Sequence, residues 1–80
     1  MRLKILYFGP LRDRFGCGEA ALEIADPATV SDLRTQVFGA EGGSRASVAV
    51  AVNMEYALPE RLLRDGDEVA FIPPVAGGGR

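Results

Sequence analysis

Glu68-Val69-Ala70-Phe71-Ile72-Pro73-Pro74-Val75-Ala76-Gly77-Gly78-Gly79-Arg80 closes this 80-residue chain and decides how the rest is read. Its first five residues, apolar behind a single acid, have the composition of a strand. Two prolines then end it: they fix φ, offer no donor to extend a sheet, and favour an extended polyproline exit. The glycines that follow have no Cβ, so their backbone can enter a channel too narrow for any side chain. Fully extended, Pro73 to Gly78 reaches roughly 20 Å at about 3.3–3.6 Å per residue. That is long enough to carry a C-terminal carboxylate into the active site of another protein. The plainer alternative is a Gly-rich terminus with no role, of a kind many domains carry.

Working back along the chain, Asp65-Gly66-Asp67 reads as a tight turn feeding the last strand. A metal site is the weaker reading, because two or three acids without further ligands make a poor calcium site. Residues 2–8 alternate and are rich in branched and aromatic side chains, a second strand. Leu3, Ile5 and Tyr7 share one face; Lys4, Leu6 and Phe8 share the other. Gly9-Pro10 breaks this strand and starts a short helical turn carrying Leu11 and Phe15, ended by Gly16. Residues 20–25 form a plausible partner strand in a hairpin.

The clearest helix begins after Thr29, whose hydroxyl caps a first turn holding Asp32 three residues later. Val30, Leu33 and Val37 make its apolar stripe and Gly39 ends it. A Gly/Ser-rich loop over 40–47 leads to a strand over 46–53, a short strand over 55–57, and a turn or single helical turn over 58–63. One main helix with four to five strands on so short a chain predicts an α+β fold, a mixed sheet over one helix in the ubiquitin-like β-grasp order. The first and last strands should lie side by side and parallel. Residues 1–72 then form the domain and residues 73–80 an extended tail.

Strand parity carries the argument towards function. Val69 and Phe71 pair in phase with Leu3, Ile5 and Tyr7 under the helix. Leu6, Phe8, Ala70 and Ile72 then fall on the opposite face with Lys4 and Glu68. A domain this small cannot cover both faces of its sheet, so an apolar patch rimmed by charge is expected there, the mark of a partner surface. The other possibility is a second, smaller core under the loops.

Composition removes whole classes of function. The net charge is −2, with eight arginines and one lysine scattered among eleven acids, so no basic stripe suits nucleic acid. No segment reads as a membrane span or signal peptide, and one cysteine, Cys17, allows no internal disulfide; both fit a cytoplasmic protein. Cys17, in Gly16-Cys17-Gly18, has no CxxC neighbour and reads as a small turn residue. The chain has no histidine, and with it go the commonest general base and the commonest metal ligand. No metal or bound cofactor is expected. If this chain takes part in chemistry, the reacting group is not a side chain.

Three segments resemble the MoaD family, the small sulfur-carrying subunits of molybdopterin synthase. They are Leu6-Tyr7-Phe8-Gly9-Pro10-Leu11-Arg12-Asp13, Val50-Ala51-Val52-Asn53, and the run from Asp65 through Pro73-Pro74-Val75-Ala76-Gly77-Gly78. The related thiamine-pathway carriers share the Gly-Gly end but are less similar at the double proline. The resemblance implies a carrier that is a subunit of an enzyme and not catalytic alone. An ATP-dependent adenylating enzyme, of the ubiquitin-activating kind, would activate the terminal carboxylate. A sulfur donor enzyme would convert the adenylate to a thiocarboxylate. The tail would then enter the large subunit of the synthase and deliver sulfur to the pterin precursor. Gly78 is the implied carrier residue, with Gly79 as the alternative, and Gly77 gives access. Phe8, Tyr56, Ile72, Pro73, Pro74 and Val75 are the implied docking residues, Tyr56 on the resemblance alone. Family members stop at the second glycine, so Gly79 and Arg80 imply a tail-trimming protease, a chain not directly competent as it stands, or residues foreign to the native chain. A ubiquitin-like protein modifier and an interaction module with an inert tail remain alternative readings.

Overall fold

The computed structural model describes residues 1–39 and 48–73. The predicted loop over 40–47, with the first two residues of the predicted strand 46–53, lies outside the described residues, as do Pro74, Val75, Gly77, Gly78 and Gly79 of the tail.

The alternation in the first segment produces β1 (Arg2–Tyr7), in which Leu3, Ile5 and Tyr7 are buried. α1 (Pro10–Phe15) follows, with proline in its first turn and Gly16 at its C-cap in the left-handed region. β2 (Glu19–Glu23) turns back antiparallel to β1. α2 (Val30–Phe38) starts at Thr29 with the full reciprocal cap: Thr29 Oγ1 accepts from the Asp32 N–H at 3.2 Å, and Asp32 Oδ2 accepts from the Thr29 N–H at 2.9 Å. β3 (Ala49–Val52), β4 (Glu55–Tyr56) and β5 (Glu68–Ile72) complete a five-stranded sheet ordered β2-β1-β5-β3-β4. Within it, β1 and β5 run parallel at the centre, with Ile5 opposite Val69 and Tyr7 opposite Phe71. This is the mixed β-grasp sheet the residue pattern predicts.

Several boundaries differ from expectation for local reasons. The first strand stops at Tyr7, before Phe8, because Gly9 at φ 57°, ψ −136° turns the chain out of the pleat. The second occupies 19–23 instead of 20–25: Glu19 already pairs with Leu6, and Ile24, which exchanges hydrogen bonds with Met1 at the chain's start, is buried in the core just past the strand's end. Asn53 is not in the strand it was predicted to end. It and Met54 have φ of 51° and 73° and form the two-residue turn between β3 and β4. Residues 58–63 hold no helix: Pro59 O and Arg61 O accept from Ser31 and Val30, and Leu62 makes an isolated bridge to Thr29. Of the two expectations the turn holds: the Arg61 N–H donates to Leu58 O at 3.0 Å, and the segment is tied to the start of α2 as well.

One side of the sheet packs on α2. Leu3, Ile5, Val52, Val69 and Phe71 from the strands meet Val30 and Leu33 from the helix, all essentially solvent-free. Each such side chain contributes about 1.5–3 kcal/mol by leaving water. Four rings close the end of this core where β1 and β5 finish. Tyr7 stacks on Phe15 at 4.4 Å and on Phe71 at 6.2 Å, while Phe38 meets Phe15 and Phe71 edge-on at 5.7 and 5.1 Å. Burial pushes the Tyr7 phenol above its ordinary pKa, with negative charge at Cys17 adding to the effect. At the other end, the predicted Asp65-Gly66-Asp67 turn is a structural knot. Asp65 Oδ1 accepts from Arg2 N–H at 2.7 Å. Buried Asp67 accepts from Arg64 N–H at 2.8 Å and from the Asn53 amide at 2.9 Å. Its acids are consumed by backbone and amide donors. No group of three or more potential metal ligands occurs among the described residues.

Candidate functional site

The face of the sheet turned away from α2 is built by the residues that alternate out of phase with the core. Leu6 from β1 and Ala70 and Ile72 from β5 are half-buried, and Phe8, just past β1, is 46% exposed. Beside them, Ala51 of β3 stands opposite both Ala70 and Tyr56 in the ladders. Two facing alanines leave a low floor, and larger side chains rise around it. The result is an apolar depression of about 340 Å³ lined by Leu6, Phe8, Ala51, Met54, Tyr56, Glu68, Ala70 and Ile72. Phe8, Tyr56 and Ile72, chosen from separate stretches of sequence, are brought together in it. Phe8, Met54 and Tyr56 on this face are exposed although Ala51 beneath them is buried, so among the described residues it is an open surface and not a second small core.

Charge marks one border. Lys4 Nζ lies 3.6 Å from both Glu19 and Glu68 carboxylates, all partly exposed. Exposed pairs of this kind contribute under about 1 kcal/mol each, so they add little to the stability of the fold. The predicted tail begins at the same place. Pro73 follows Ile72 directly, so the chain leaves the domain from the edge of the apolar depression.

Sequence reasoning missed Met54 and Ala51. Ala51 carries no signal of its own in the sequence, because its role depends on which residues stand beside it in the ladder. Met54 is 90% exposed at the tip of the β3–β4 turn and holds φ 73°, a region an L residue enters at a cost. The clue available was Asn53, a residue that favours positive φ in two-residue turns. An apolar side chain held at an unfavourable φ and open to water gains nothing for the fold. We therefore expect Met54→Gly to raise stability by about 0.5–1 kcal/mol, after the entropy lost by glycine is counted. The same change should weaken binding to a partner on this face. Denaturant titration and calorimetry on one pair of samples give both signs; a variant less stable than its parent would remove the argument.

The fold and this face define a small β-grasp protein with an apolar depression beside the end of its last strand. The family model described as ThiS family matches residues 5–78, and the chain belongs to that family. A molybdopterin synthase sulfur carrier subunit from Chlamydomonas reinhardtii is 39% identical over 83 residues, covering 98% of this chain and all of the relative. Among solved structures, a candidate molybdopterin converting factor subunit 1 from Pyrococcus furiosus superposes with TM-score 0.81 at 30% identity, covering 94% and 99% of the two chains. SAMP1 from Haloferax volcanii gives 0.78 at 28% identity, covering 98% and 100%. A chain in the complex of subunits 1 and 2 of molybdopterin-converting factor from Helicobacter pylori gives 0.68 at 25%, also covering 98% and 100%. No helix among the described residues is long and apolar enough to cross a membrane.

Proposed function

We infer that this chain is the sulfur carrier subunit of molybdopterin synthase, acting in the cytoplasm. The observation that carries the reading is the end-to-end match to a carrier subunit, which includes the Gly-Gly segment. The docking depression at the root of the tail supports it.

The chemistry needs no acid or base from the carrier. A terminal carboxylate, with an ordinary pKa of about 3.3–3.7, is an anion at neutral pH and a poor electrophile. An adenylating enzyme would let it attack the α-phosphorus of ATP, releasing pyrophosphate and leaving an acyl-adenylate. A sulfur donor enzyme then supplies sulfur to the carbonyl carbon, and AMP departs with the C–O bond electrons. The resulting thiocarboxylate enters the large synthase subunit, its sulfur bonds to the pterin precursor, and water then attacks the acyl carbon, breaking the C–S bond and returning the carrier as carboxylate. The carrier binds neither ATP nor metal in this scheme. It supplies a thin tail and a face that docks.

The family match stops at Gly78, which supports Gly78 as the working terminus and a protease that removes Gly79 and Arg80. Chains ending at Gly78, Gly79 and Arg80 should be offered to the adenylating enzyme with ATP, then with the sulfur donor. We expect only the Gly78 chain to form the adenylate efficiently. Intact mass should then show one oxygen replaced by sulfur. Efficient adenylation of the Arg80 chain would remove the need for a protease, and a preference for Gly79 would move the terminus by one residue. Failure of all three would refute the carrier reading.

The likeness to SAMP1 favours one second reading, a ubiquitin-like modifier joined through the same glycine to lysines of other proteins. Isopeptide-linked adducts of this chain in cell extracts would support that reading over the carrier.

A further inference from the structure

We propose that Gly9 is a positioning residue: a seat without a side chain on which Pro73 rests, fixing the direction in which the tail leaves the domain. This inference rests on the carrier reading for its purpose but not for its geometry.

Gly9 has φ 57° and ψ −136°. This is the mirror image of the polyproline conformation, open to glycine and unfavourable for L residues. A Cβ built on Gly9 would lie 3.3 Å from Pro73 Cγ, closer than ordinary van der Waals contact. The two residues therefore meet backbone against ring. Each lies two residues past an anchored position: Tyr7 and Phe71 are register partners, and both rings belong to the aromatic cluster. Phe8 and Ile72, between the anchors and the seat, face the apolar depression. The same local geometry thus orders the docking face and aims the chain emerging from it. A side chain at position 9 would push on Pro73 and swing the start of the tail.

Such a change should act on turnover more than on docking. A reactive group displaced by about 1 Å can cost up to about 100-fold in rate. A lost contact used equally in ground and transition states raises KM alone.

Position 9 lies within residues 1–16, and Cys17 follows Gly16, so a synthetic 1–16 thioester can be ligated to an expressed segment beginning at Cys17. Three chains ending at Gly78 should be made this way: the parent, Gly9→Ala and Gly9→D-Ala. D-alanine favours the observed φ and ψ and carries its methyl at the other tetrahedral position of Cα, not the one 3.3 Å from Pro73 Cγ. Gly9→Ala should lower kcat for adenylate formation by about ten- to a hundred-fold, with KM changed less than about twofold. The D-alanine chain should stay near the parent. Pro73→Ala, which leaves the Gly9 backbone untouched, should lower the same kcat and serves if Gly9→Ala does not fold.

In the free parent protein, nuclear Overhauser contacts between the Gly9 α-protons and the Pro73 ring should be present. Their absence overturns the inference, whatever the enzyme does. So does an unchanged kcat in Gly9→Ala or Pro73→Ala, an effect confined to KM, or D-alanine as harmful as L-alanine. A parent chain that is not adenylated at all refutes the carrier reading instead, and the seat is then decided by those contacts.

Discussion

A single β-branched residue in the tail, Gly78→Val, should reduce sulfur transfer by about 100-fold or more while leaving the domain intact. Valine adds three carbons at the atom next to the reacting carboxylate and restricts χ1 and the local backbone. If the adenylating and synthase sites take bare backbone, those carbons collide with both. Gly77→Val should act in the same direction through passage, one residue from the chemistry. Neither glycine has a side chain to contribute to the core that Leu3, Ile5, Leu33 and Phe71 build. The unfolding free energy should therefore stay within about 0.5 kcal/mol of the parent. Intact-mass measurement of the thiocarboxylate product and a denaturant titration provide the two readings. Normal transfer, or an unfolded domain, would show that the tail has been misread.

What was legible in the chain, and what was not, follows from how far apart the deciding residues stand. The helix start was readable because Thr29 and Asp32 satisfy each other three residues apart. The two faces of β1 and β5 were readable because parity is a property of each strand alone. The parallel pairing came from fold order and the family resemblance; its register, Ile5 with Val69, belongs to the assembled sheet. Turns were harder. Asn53 is held by Asp67 and by the Glu68 N–H, fourteen and fifteen residues on, so its positive φ is a tertiary decision. The segment 58–63 fails as a helix because its carbonyls at Pro59 and Arg61 are taken by α2. At the candidate site, Phe8 and Ile72 followed from alternation. Ala51 emerged only once β4 placed Tyr56 beside it. Gly9 was visible as a strand breaker, but its contact with Pro73 joins residues 64 positions apart in sequence, beyond any local pattern.

The second large effect concerns that assembled face. Ile72→Asp is expected to weaken binding to the large synthase subunit by about 3–5 kcal/mol, roughly 100- to 1,000-fold or more in Kd. Ile72 is half-buried at the border of the depression and immediately precedes Pro73, so a partner that receives the tail must cover it. A carboxylate there would be desolvated without a counter-charge. Lys4, on the same face, stands 3.6 Å from Glu19 and Glu68 and is register partner of Glu68 at the far end of β5, so it offers no counter-charge at position 72. Phe8→Asp should act in the same way. It tests the same end of the depression from the neighbouring strand, at a residue beyond the ladder, where the fold has less to lose. The core lies on the other side of the sheet, so both variants should keep the parent circular dichroism. Calorimetric titration against the large subunit then separates docking from chemistry: a tail variant such as Gly78→Val should bind with affinity closer to the parent than either aspartate variant. Parent-like affinity in both folded aspartate variants would place the docking surface elsewhere. Loss in Phe8→Asp alone would shift its centre from β5 towards the end of β1.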